Sequence, residues 1–197
     1  PRPIAPDRMS GPADADQSIR LRDGAVLEVR PLTARETAGL ARFDANLSPA
    51  SRALFLPHAY DEATLTHHVA RHARGQDLSW VAVAGETVVG YAFLWEFDQP
   101  FPLLGLGVAD AWQGRGLGGG LLDRLVAAAL AAHREGIELT TVPHNVRARA
   151  LYESRGFRVT GEVDNVAGDG RVVRELRMLL TIRSGARPPE RRYAPPA

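Results

Sequence analysis

A cluster of glycines lies between a predicted strand and a predicted helix, in the segment QGRGLGGG at residues 113–120. Each glycine inside a helix costs roughly 1 kcal/mol relative to alanine, so several at one helix start need a physical reason. Without Cβ atoms, backbone N–H groups can converge on an anion, and the helix N-terminus adds partial positive charge. The pattern predicts a backbone cradle whose natural ligand is a pyrophosphate.

Three interpretations of this turn compete with the cradle. A Walker loop needs Gly-Lys-Ser or Gly-Lys-Thr, whereas Leu121 follows the last glycine and the chain has no lysine. A dinucleotide-binding Rossmann turn follows the first strand of its domain, whereas this turn follows the fourth predicted strand. A flexible loop with glycines at a tight turn is disfavoured by the strand before it and the amphipathic helix after it.

A second constellation lies downstream, in the segment NVRARALYESRGF at residues 145–157. Asn145 begins a predicted helix, where its side chain can cap the helix or reach a ligand amide. Tyr152 falls one turn before the helix end, where a tyrosine is most often a half-buried aromatic. Gly156 predicts a left-handed stop of this helix, and Phe157 predicts a core anchor.

Together, the two segments resemble the signatures of the GNAT superfamily of N-acetyltransferases. The first signature, Gln/Arg-x-x-Gly-x-Gly/Ala, is matched by Gln113, Gly116 and Gly118. The second, Asn-x-x-Ala-x-x-Leu-Tyr-x-x-x-Gly-Phe, is matched at every position within residues 145–157. The resemblance covers most of residues 26–180. It implies an acetyl-CoA-dependent N-acetyltransferase that passes an acyl group to a primary amine of a small molecule or peptide, by direct attack in a ternary complex.

The resemblance also implies which residues bind acetyl-CoA. Backbone amides of the glycine-rich turn hold the pyrophosphate, and the strand that ends at Val108 pairs with the pantetheine amides. The expected binding residues are Val108, Gln113, Gly114, Arg115, Gly116, Leu117, Gly118, Gly119, Asn145 and Tyr152. Tyr152 is also the expected general acid, because a phenol near the sulfur can donate a proton to the departing thiolate.

The general base departs from the family pattern. Many relatives place a glutamate on the third or fourth strand, but the fourth predicted strand, LLGLGV at residues 103–108, has no carboxylate. Glu96, at the end of the third strand, is the expected base, and a solvated residue at a strand end is the alternative for it. Catalysis can also proceed without a strong base if a neutral amine is positioned directly.

The remaining patterns describe the fold that must position these residues. Strand-like and helix-like segments alternate in the order β-α-α-β-β-β-α-β-α-β-β. This order predicts an α/β (α+β) fold of the GNAT type, a mixed central β-sheet of about seven strands flanked by about four helices. Thr33 with Glu36, and Asp61, are predicted helix caps. Residues 47–57 are predicted to form a loop or a short helical turn.

Composition limits the domain organisation and the class of protein. Prolines concentrate at both ends, so we expect the acetyltransferase domain at residues 19–181 and disordered tails at residues 1–18 and 182–197. The 24 basic and 23 acidic residues give a net charge of +1, which argues against a nucleic-acid partner. No apolar run suits a membrane helix or a secretory signal, so a cytoplasmic protein without a membrane partner is expected. The absence of cysteine excludes disulfides, thiolate metal sites and a catalytic cysteine.

The histidines do not predict a metal site. His68 and His72 are spaced i, i+4 but lack the glutamate of the HExxH motif, so both are expected to be solvated and no metal is expected. His58 and His144 are expected near the acceptor cleft.

The acceptor and the partners are encoded less clearly. Trp95, Phe97 and Phe101 predict a hydrophobic cleft mouth, and the sequence shows no acidic cleft that would suit a polycationic acceptor. The resemblance allows a homodimer, although the sequence specifies no interface. The competing function is a non-catalytic acyl-CoA-binding sensor or interaction module with the same fold.

Overall fold

The computed structural model describes residues 17–196, which form eight β-strands and five α-helices. The strands are β1 (Ser18–Arg20), β2 (Val26–Pro31), β3 (Leu78–Ala84), β4 (Thr87–Trp95), β5 (Leu103–Val108), β6 (Gly136–Thr141), β7 (Arg158–Val166) and β8 (Val172–Thr181). The helices are α1 (Thr37–Ala45), α2 (Pro49–Leu54), α3 (Glu62–Ala73), α4 (Leu117–Ala131) and α5 (Val146–Glu153), and a short 3₁₀ turn, Asp110–Trp112, precedes α4. The predicted mixed fold is confirmed, and the elements beyond the predicted set are β1 and α2.

All strands join one sheet in the order β1-β2-β3-β4-β5-β6-β8-β7. Neighbouring strands are antiparallel except β5 and β6, which are parallel because α4 carries the chain back across the sheet. β4 and β5 pair along their length, from Gly90↔Val108 to Trp95↔Leu103. β5 and β6, by contrast, pair only at Leu103↔Glu138. A cleft therefore opens between β5 and β6 and widens toward the glycine-rich turn.

The sheet carries a hydrophobic core on each face. Side chains alternate along β4, so that Ala92 and Leu94 pack beneath α4 and α5, on what we term the α4 face. Tyr91, Phe93 and Trp95 point the other way and pack beneath α1 and α3, on the α1 face. On the α4 face, α4 buries a helical stripe of Leu117, Leu121, Leu122, Leu125 and Ala129. The cleft between β5 and β6 therefore opens onto two faces of the sheet that carry different side chains.

One predicted helix start is confirmed and another is displaced. Asp61 caps α3, since its Oδ1 accepts a hydrogen bond from the backbone N–H three residues on at 3.0 Å. Thr33 does not begin α1, which starts at Thr37. Glu36 does reach back to the Thr33 N–H at 3.2 Å, but it is buried against Arg30 of β2 at 3.4 Å. This ion pair holds Glu36 just before the helix instead of within its first turn.

The C-terminal segment, residues 183–196, packs against the sheet. The sequence predicts a disordered tail from residue 182, whereas Tyr193 is buried and forms a parallel bridge with Asn165 of β7. The physical reason is charge and hydrogen bonding, because the buried Glu138 carboxylate contacts both the Arg191 guanidinium and the Tyr193 hydroxyl at 3.0 Å. These contacts are non-local, so the proline-rich composition of the segment does not reveal them.

The predicted N-terminal tail, residues 1–18, lies outside the described residues except for its last two positions. Gln17 accepts a backbone hydrogen bond from Val29 at 2.7 Å, and Ser18 begins β1. Between residues 17 and 196, no helix combines the length and the apolar character needed to span a bilayer.

His68, expected to be solvated on a polar helix face, is buried instead. Its ring stacks on Trp95, with centroids 5.4 Å apart and an interplanar angle of 7°. His58 packs against His68 at 4.2 Å, and its Nε2 lies 3.3 Å from the Tyr91 hydroxyl. Burial lowers the pKa of His58 to about 4. Burial, followed by repulsion from His58, lowers the pKa of His68 to about 3, so both rings are neutral in the native state near neutral pH.

We expect the free energy of unfolding to fall as the pH decreases below the ordinary histidine pKa of 6.5. The unfolded chain then takes up a proton at both positions, whereas the native state resists protonation until about pH 4 for His58 and about pH 3 for His68. Each histidine should therefore cost roughly 1 kcal/mol of stability per pH unit over most of this window. Urea unfolding at a series of pH values between about 7 and about 5 measures this slope.

The variant His68→Phe keeps an aromatic ring against Trp95 and removes one titrating group, so its pH slope should be about half that of the wild type. The matched control is His144→Gln, at an exposed position, which should keep the full slope. Equal slopes in His68→Phe and the wild type would contradict the prediction.

Candidate functional site

The glycine-rich turn joins β5 to α4 with a backbone conformation that favours glycine. Gly114 (φ 77°) and Gly116 (φ 99°) lie in the left-handed region, and Gly116 is the N-cap of α4. The Gly120 N–H donates to the Gly116 carbonyl at 3.1 Å, so the N–H groups of residues 117–119 have no acceptor within the helix. These donors and the positive end of the helix dipole can bind an anion, so the predicted phosphate cradle stays a prediction; we term this position the anion site.

Gly118 has no packing reason within the protein to be glycine. A Cβ atom at this position would meet only ordinary van der Waals neighbours, all of them apolar: Leu151 at 3.6 Å, Val108 at 3.7 Å and Leu106 at 3.9 Å. We term the space between these three side chains the Gly118 groove. At Gly120, by contrast, a Cβ atom would come within 2.7 Å of Ile19 in the core. Packing therefore requires Gly120, whereas Gly118 leaves a groove open beside the anion site.

Arginine side chains surround the turn, and most of them were not among the predicted site residues. They are Arg22, Arg115, Arg147 and Arg155, of which the sequence predicts only Arg115. The Arg147 guanidinium lies 3.2 Å from the Cβ position of Gly114, and that of Arg155 lies 3.0 Å from the Cβ position of Gly119. The arginines that were missed are Arg22, in the β1–β2 turn, and Arg147 and Arg155, which lie at variable positions of the second signature, where the pattern assigns them no role. Their positive charge suits a ligand with several phosphates.

Gln113 braces the turn with its side chain. Its Nε2 donates to the Val108 carbonyl at 3.0 Å and to the Ser51 hydroxyl at 3.2 Å. Its Oε1 accepts from the Arg147 guanidinium at 3.1 Å. The Asp110 carboxylate adds a second connection, since it accepts from the Ser51 hydroxyl at 2.6 Å. The turn is thereby fastened to α2, and the predicted site residue Gln113 contributes by holding the backbone in place.

The edge of β5 that faces β6 offers backbone groups to a ligand. Beyond Leu103↔Glu138 the two strands have no paired residues, although β5 continues to Val108. An extended ligand with its own amides can add to such an edge as a strand would. The predicted role of Val108 and its strand is compatible with this arrangement.

Tyr152 lies on the last turn of α5, within the core of the α4 face. Its ring is buried beside Phe157, with centroids 5.8 Å apart. Burial, with a smaller contribution from the negative Glu175, raises the pKa of Tyr152 well above its ordinary value. The phenol therefore keeps its proton throughout the physiological range, as a general acid must. Asn145, at the other end of α5, caps the helix through the Ala148 N–H at 3.3 Å.

Glu96 lies at the opposite end of β5 from the glycine-rich turn. It follows Trp95, which pairs with Leu103, whereas the turn follows Val108. Five strand steps of about 3.3 Å separate these ends by about 17 Å. Glu96 has a left-handed backbone (φ 53°), is half exposed, and forms an ion pair with Arg191 at 3.0 Å. The structure does not bring Glu96 together with the residues of the turn.

Two carboxylates that the sequence did not single out lie on the α1 face of the cleft. Glu138 of β6 is fully buried. Its neighbours Ile137 and Leu139 pack on the α4 face, so the alternation of side chains along the strand places Glu138 on the α1 face. Glu175 of β8 is half-buried and accepts from the Asn165 amide at 2.9 Å. A glutamate in the middle of the apolar strand GIELTTV is the signal that could have identified Glu138.

The aromatic residues expected at the cleft mouth are mostly buried. Trp95 is 4% exposed and Phe101 is 1% exposed, because both pack into the protein interior. Phe97 is half-buried beneath the Arg134 guanidinium, 5.2 Å from its ring centroid. Charged side chains such as Glu96 line this end of the molecule instead.

The structure does not gather the histidines into a metal site. Within residues 17–196, no group of three or more His, Cys, Asp or Glu side chains is arranged to hold a metal ion. The His72 ring nitrogen Nδ1 lies 3.2 Å from the Asp77 carbonyl, while His68 packs against Trp95. His58 is buried, and His144 is exposed beside Asn145.

Comparison with known proteins identifies relatives of this arrangement. The model of the acetyltransferase (GNAT) family matches residues 43–157. The GNAT domain of PAT from S. lividans is 19% identical with a TM-score of 0.70, over 84% of this chain and 96% of that one. YncA from Salmonella typhimurium, a putative acetyltransferase solved with acetyl-CoA, is 22% identical with a TM-score of 0.64, over 83% and 98%. RimJ from Mycobacterium smegmatis, in complex with CoA-disulfide, is 20% identical with a TM-score of 0.68, over 84% and 86%. At these identities, the structural likenesses show the fold.

We expect Gly118→Val to fold normally and to lose affinity for acetyl-CoA by at least about tenfold, or roughly 1.4 kcal/mol. A Cβ atom fits at this position in the free protein, and the two γ-methyl groups of valine would extend beyond it into the Gly118 groove. Thermal melting without ligand measures the fold, and calorimetric titration with acetyl-CoA measures the affinity.

Two control variants distinguish an effect on ligand binding in the Gly118 groove from an effect on the stability of α4. Gly118→Ala is the smallest change and should keep most of the affinity, since the first signature allows alanine there. Gly120→Ala should show the opposite pattern, with lower stability because of the contact with Ile19 and normal affinity in the folded fraction. Undiminished acetyl-CoA affinity in Gly118→Val would refute the assignment of the groove.

Proposed function

Because the chain belongs to the GNAT acetyltransferase family, we propose that it is an acetyl-CoA-dependent N-acetyltransferase. It transfers an acyl group to a primary amine of a small molecule or peptide by direct attack in a ternary complex. One observation carries this proposal: the anion site at the start of α4 lies beside the apolar Gly118 groove, which a side chain larger than that of alanine at residue 118 would fill.

The residues at this site fit acetyl-CoA as the acyl donor. The N–H groups of residues 117–119 would hold the pyrophosphate, and Arg147 and Arg155 would add positive charge around the phosphates. The free edge of β5 would pair with the amides of the pantetheine arm. Acetyl-CoA supplies an acetyl group activated as a thioester.

Tyr152 would act as the general acid. It follows Leu151, which lines the Gly118 groove, and its buried phenol keeps its proton because its pKa is raised. The hydroxyl would donate this proton to the departing thiolate, which removes the cost of expelling a charged leaving group into a buried site.

The base predicted at Glu96 gains no support from the geometry. Its carboxylate forms an ion pair with Arg191 and is therefore not free to accept a proton from the amine. The proposal therefore depends on a neutral amine that is positioned for direct attack, with no strong base.

The alternative function is a non-catalytic acyl-CoA-binding module. The observation that favours it is the absence of a carboxylate on β5, together with the ion pairing of the buried Glu138. The two functions differ in turnover, since only the enzyme releases free CoA thiol when an amine is supplied.

A thermal-melt titration with acetyl-CoA tests the donor site directly. A ligand that binds only the folded state at a hundredfold excess over its dissociation constant adds about 2.7 kcal/mol, which should raise the melting temperature by about 5–10 °C. ATP is the control, because it carries phosphates without the pantetheine arm. No shift with acetyl-CoA, or an equal shift with ATP, would remove the basis of the proposal.

We expect Tyr152→Phe to lower the turnover by about 10²–10⁴-fold while acetyl-CoA affinity and melting temperature stay close to the wild type. The variant removes only the hydroxyl and keeps the ring beside Phe157. Thiol release with a panel of primary amines measures the turnover. A rate equal to that of the wild type would mean that another group or water protonates the thiolate.

A further inference from the structure

Glu138 is a fully buried carboxylate at the point where the cleft begins. It is the β6 partner of Leu103, the last residue pair before β5 and β6 separate. Its Oε1 accepts from Arg177 Nε at 2.6 Å and from the Tyr193 hydroxyl at 3.0 Å. Its Oε2 lies 3.0 Å from Arg191 Nε. Two of these partners therefore come from the C-terminal segment.

The Arg191 guanidinium fills a site made of oxygen atoms. Its Nη1 donates to Glu96 Oε2 at 3.0 Å, and its Nη2 donates to the Phe101 carbonyl at 2.5 Å. The contact of its Nε with Glu138 Oε2 is close but lacks hydrogen-bond geometry, so this buried oxygen has no hydrogen-bond donor. A buried carboxylate oxygen without a donor is costly. Arg191 thus satisfies the site only in part.

Arg191 and Glu96 line a groove that opens toward solvent. The groove has a volume of about 530 Å³ and lies between the β4–β5 connection and the C-terminal segment. Its charged lining residues include Glu96, Glu135, Glu190, Arg187 and Arg191. Glu138 lies on the α1 face, where Phe93 and Trp95 also lie, opposite to the face that carries the anion site. A second ligand in this groove would therefore contact Glu96 and the position of Arg191 first, and it would reach Glu138 only by taking the place of Arg191.

We infer that the position of the Arg191 guanidinium is a cation-binding site of the acceptor cleft. Its ligand is an acceptor that carries a guanidinium or ammonium group in addition to its reacting amine. In the free protein, Arg191 occupies this site and the C-terminal segment covers it. The inference rests on the proposed function, because the cation would belong to the amine that receives the acyl group.

Agmatine, which joins a guanidinium to a primary amine, is the probe for this site. Its affinity is measured by calorimetry on the full chain with CoA bound, for the wild type, Arg191→Ala and Arg192→Ala. Arg192 is the matched control, because it is the exposed neighbour of Arg191. If the Arg191 guanidinium fills the site about nine-tenths of the time, its removal makes the site about ten times more available. Agmatine should therefore bind about tenfold more tightly to Arg191→Ala, and to neither of the other two proteins. Pentylamine, which lacks the guanidinium, should show no such gain.

Equal agmatine affinities in the three proteins, or the same gain in Arg192→Ala, would overturn the inference. If Arg191→Ala does not fold, Tyr193→Phe replaces it, since this variant loosens the C-terminal segment by one hydrogen bond to Glu138 and should also bind agmatine more tightly. Acetyl-CoA affinity is measured on the same samples. If the variants bind acetyl-CoA but show no gain in agmatine affinity, this inference alone is contradicted. If neither the wild type nor the variants bind acetyl-CoA, the proposed function is contradicted.

Discussion

The separation of β5 and β6 after a single residue pair is the constraint on which the site depends. A strand in the middle of a sheet normally satisfies its backbone groups on both edges, and buried groups without partners are costly. Here β5 pairs fully with β4 but leaves its other edge open from Leu104 to Val108. The long helix α4, which must cross from β5 to β6, packs its leucine stripe against the α4 face and keeps the sheet intact despite the gap. The fold therefore holds open an edge that a ligand with amides can complete.

The glycines of this region serve three different physical purposes. Gly114 and Gly116 adopt left-handed backbone angles that turn the chain into α4. On β5, a Cβ atom at Gly107 would come within 2.5 Å of the Phe55 ring, so glycine there lets an aromatic side chain of the α1 face lie directly on the strand. Gly118 fits neither explanation, because its φ angle is not left-handed and a Cβ atom there would meet its neighbours only at ordinary van der Waals distance. A glycine that packing does not require supports the proposal that a ligand lies beside it.

The sequence predicts the features that depend on neighbours along the chain. The order of strands and helices, the turn before α4, the Asp61 and Asn145 caps and the place of Tyr152 all follow from local patterns, and the structure contains them. The features it does not predict depend on contacts between distant segments. His68 is buried by Trp95, which lies 27 residues further along the chain (95 − 68). Likewise, the contact of Arg191 with Glu138 joins a proline-rich segment to a central strand, and no periodicity encodes it.

Stability alone does not account for a charged residue at Glu138. A buried ion pair is often no more stabilising than well-packed apolar side chains of similar volume, so the apolar neighbours Ile137 and Leu139 show what β6 could have used instead. The arrangement also uses arginine in a way that lysine could not reproduce. Arg191 directs Nη1 and Nη2 into hydrogen bonds with two separate oxygen atoms while its Nε lies 3.0 Å from a third, which suits a planar fork of donors better than a point charge. A site that held the cation of a ligand in place of Arg191 would therefore select it by the direction of the hydrogen bonds as well as by charge.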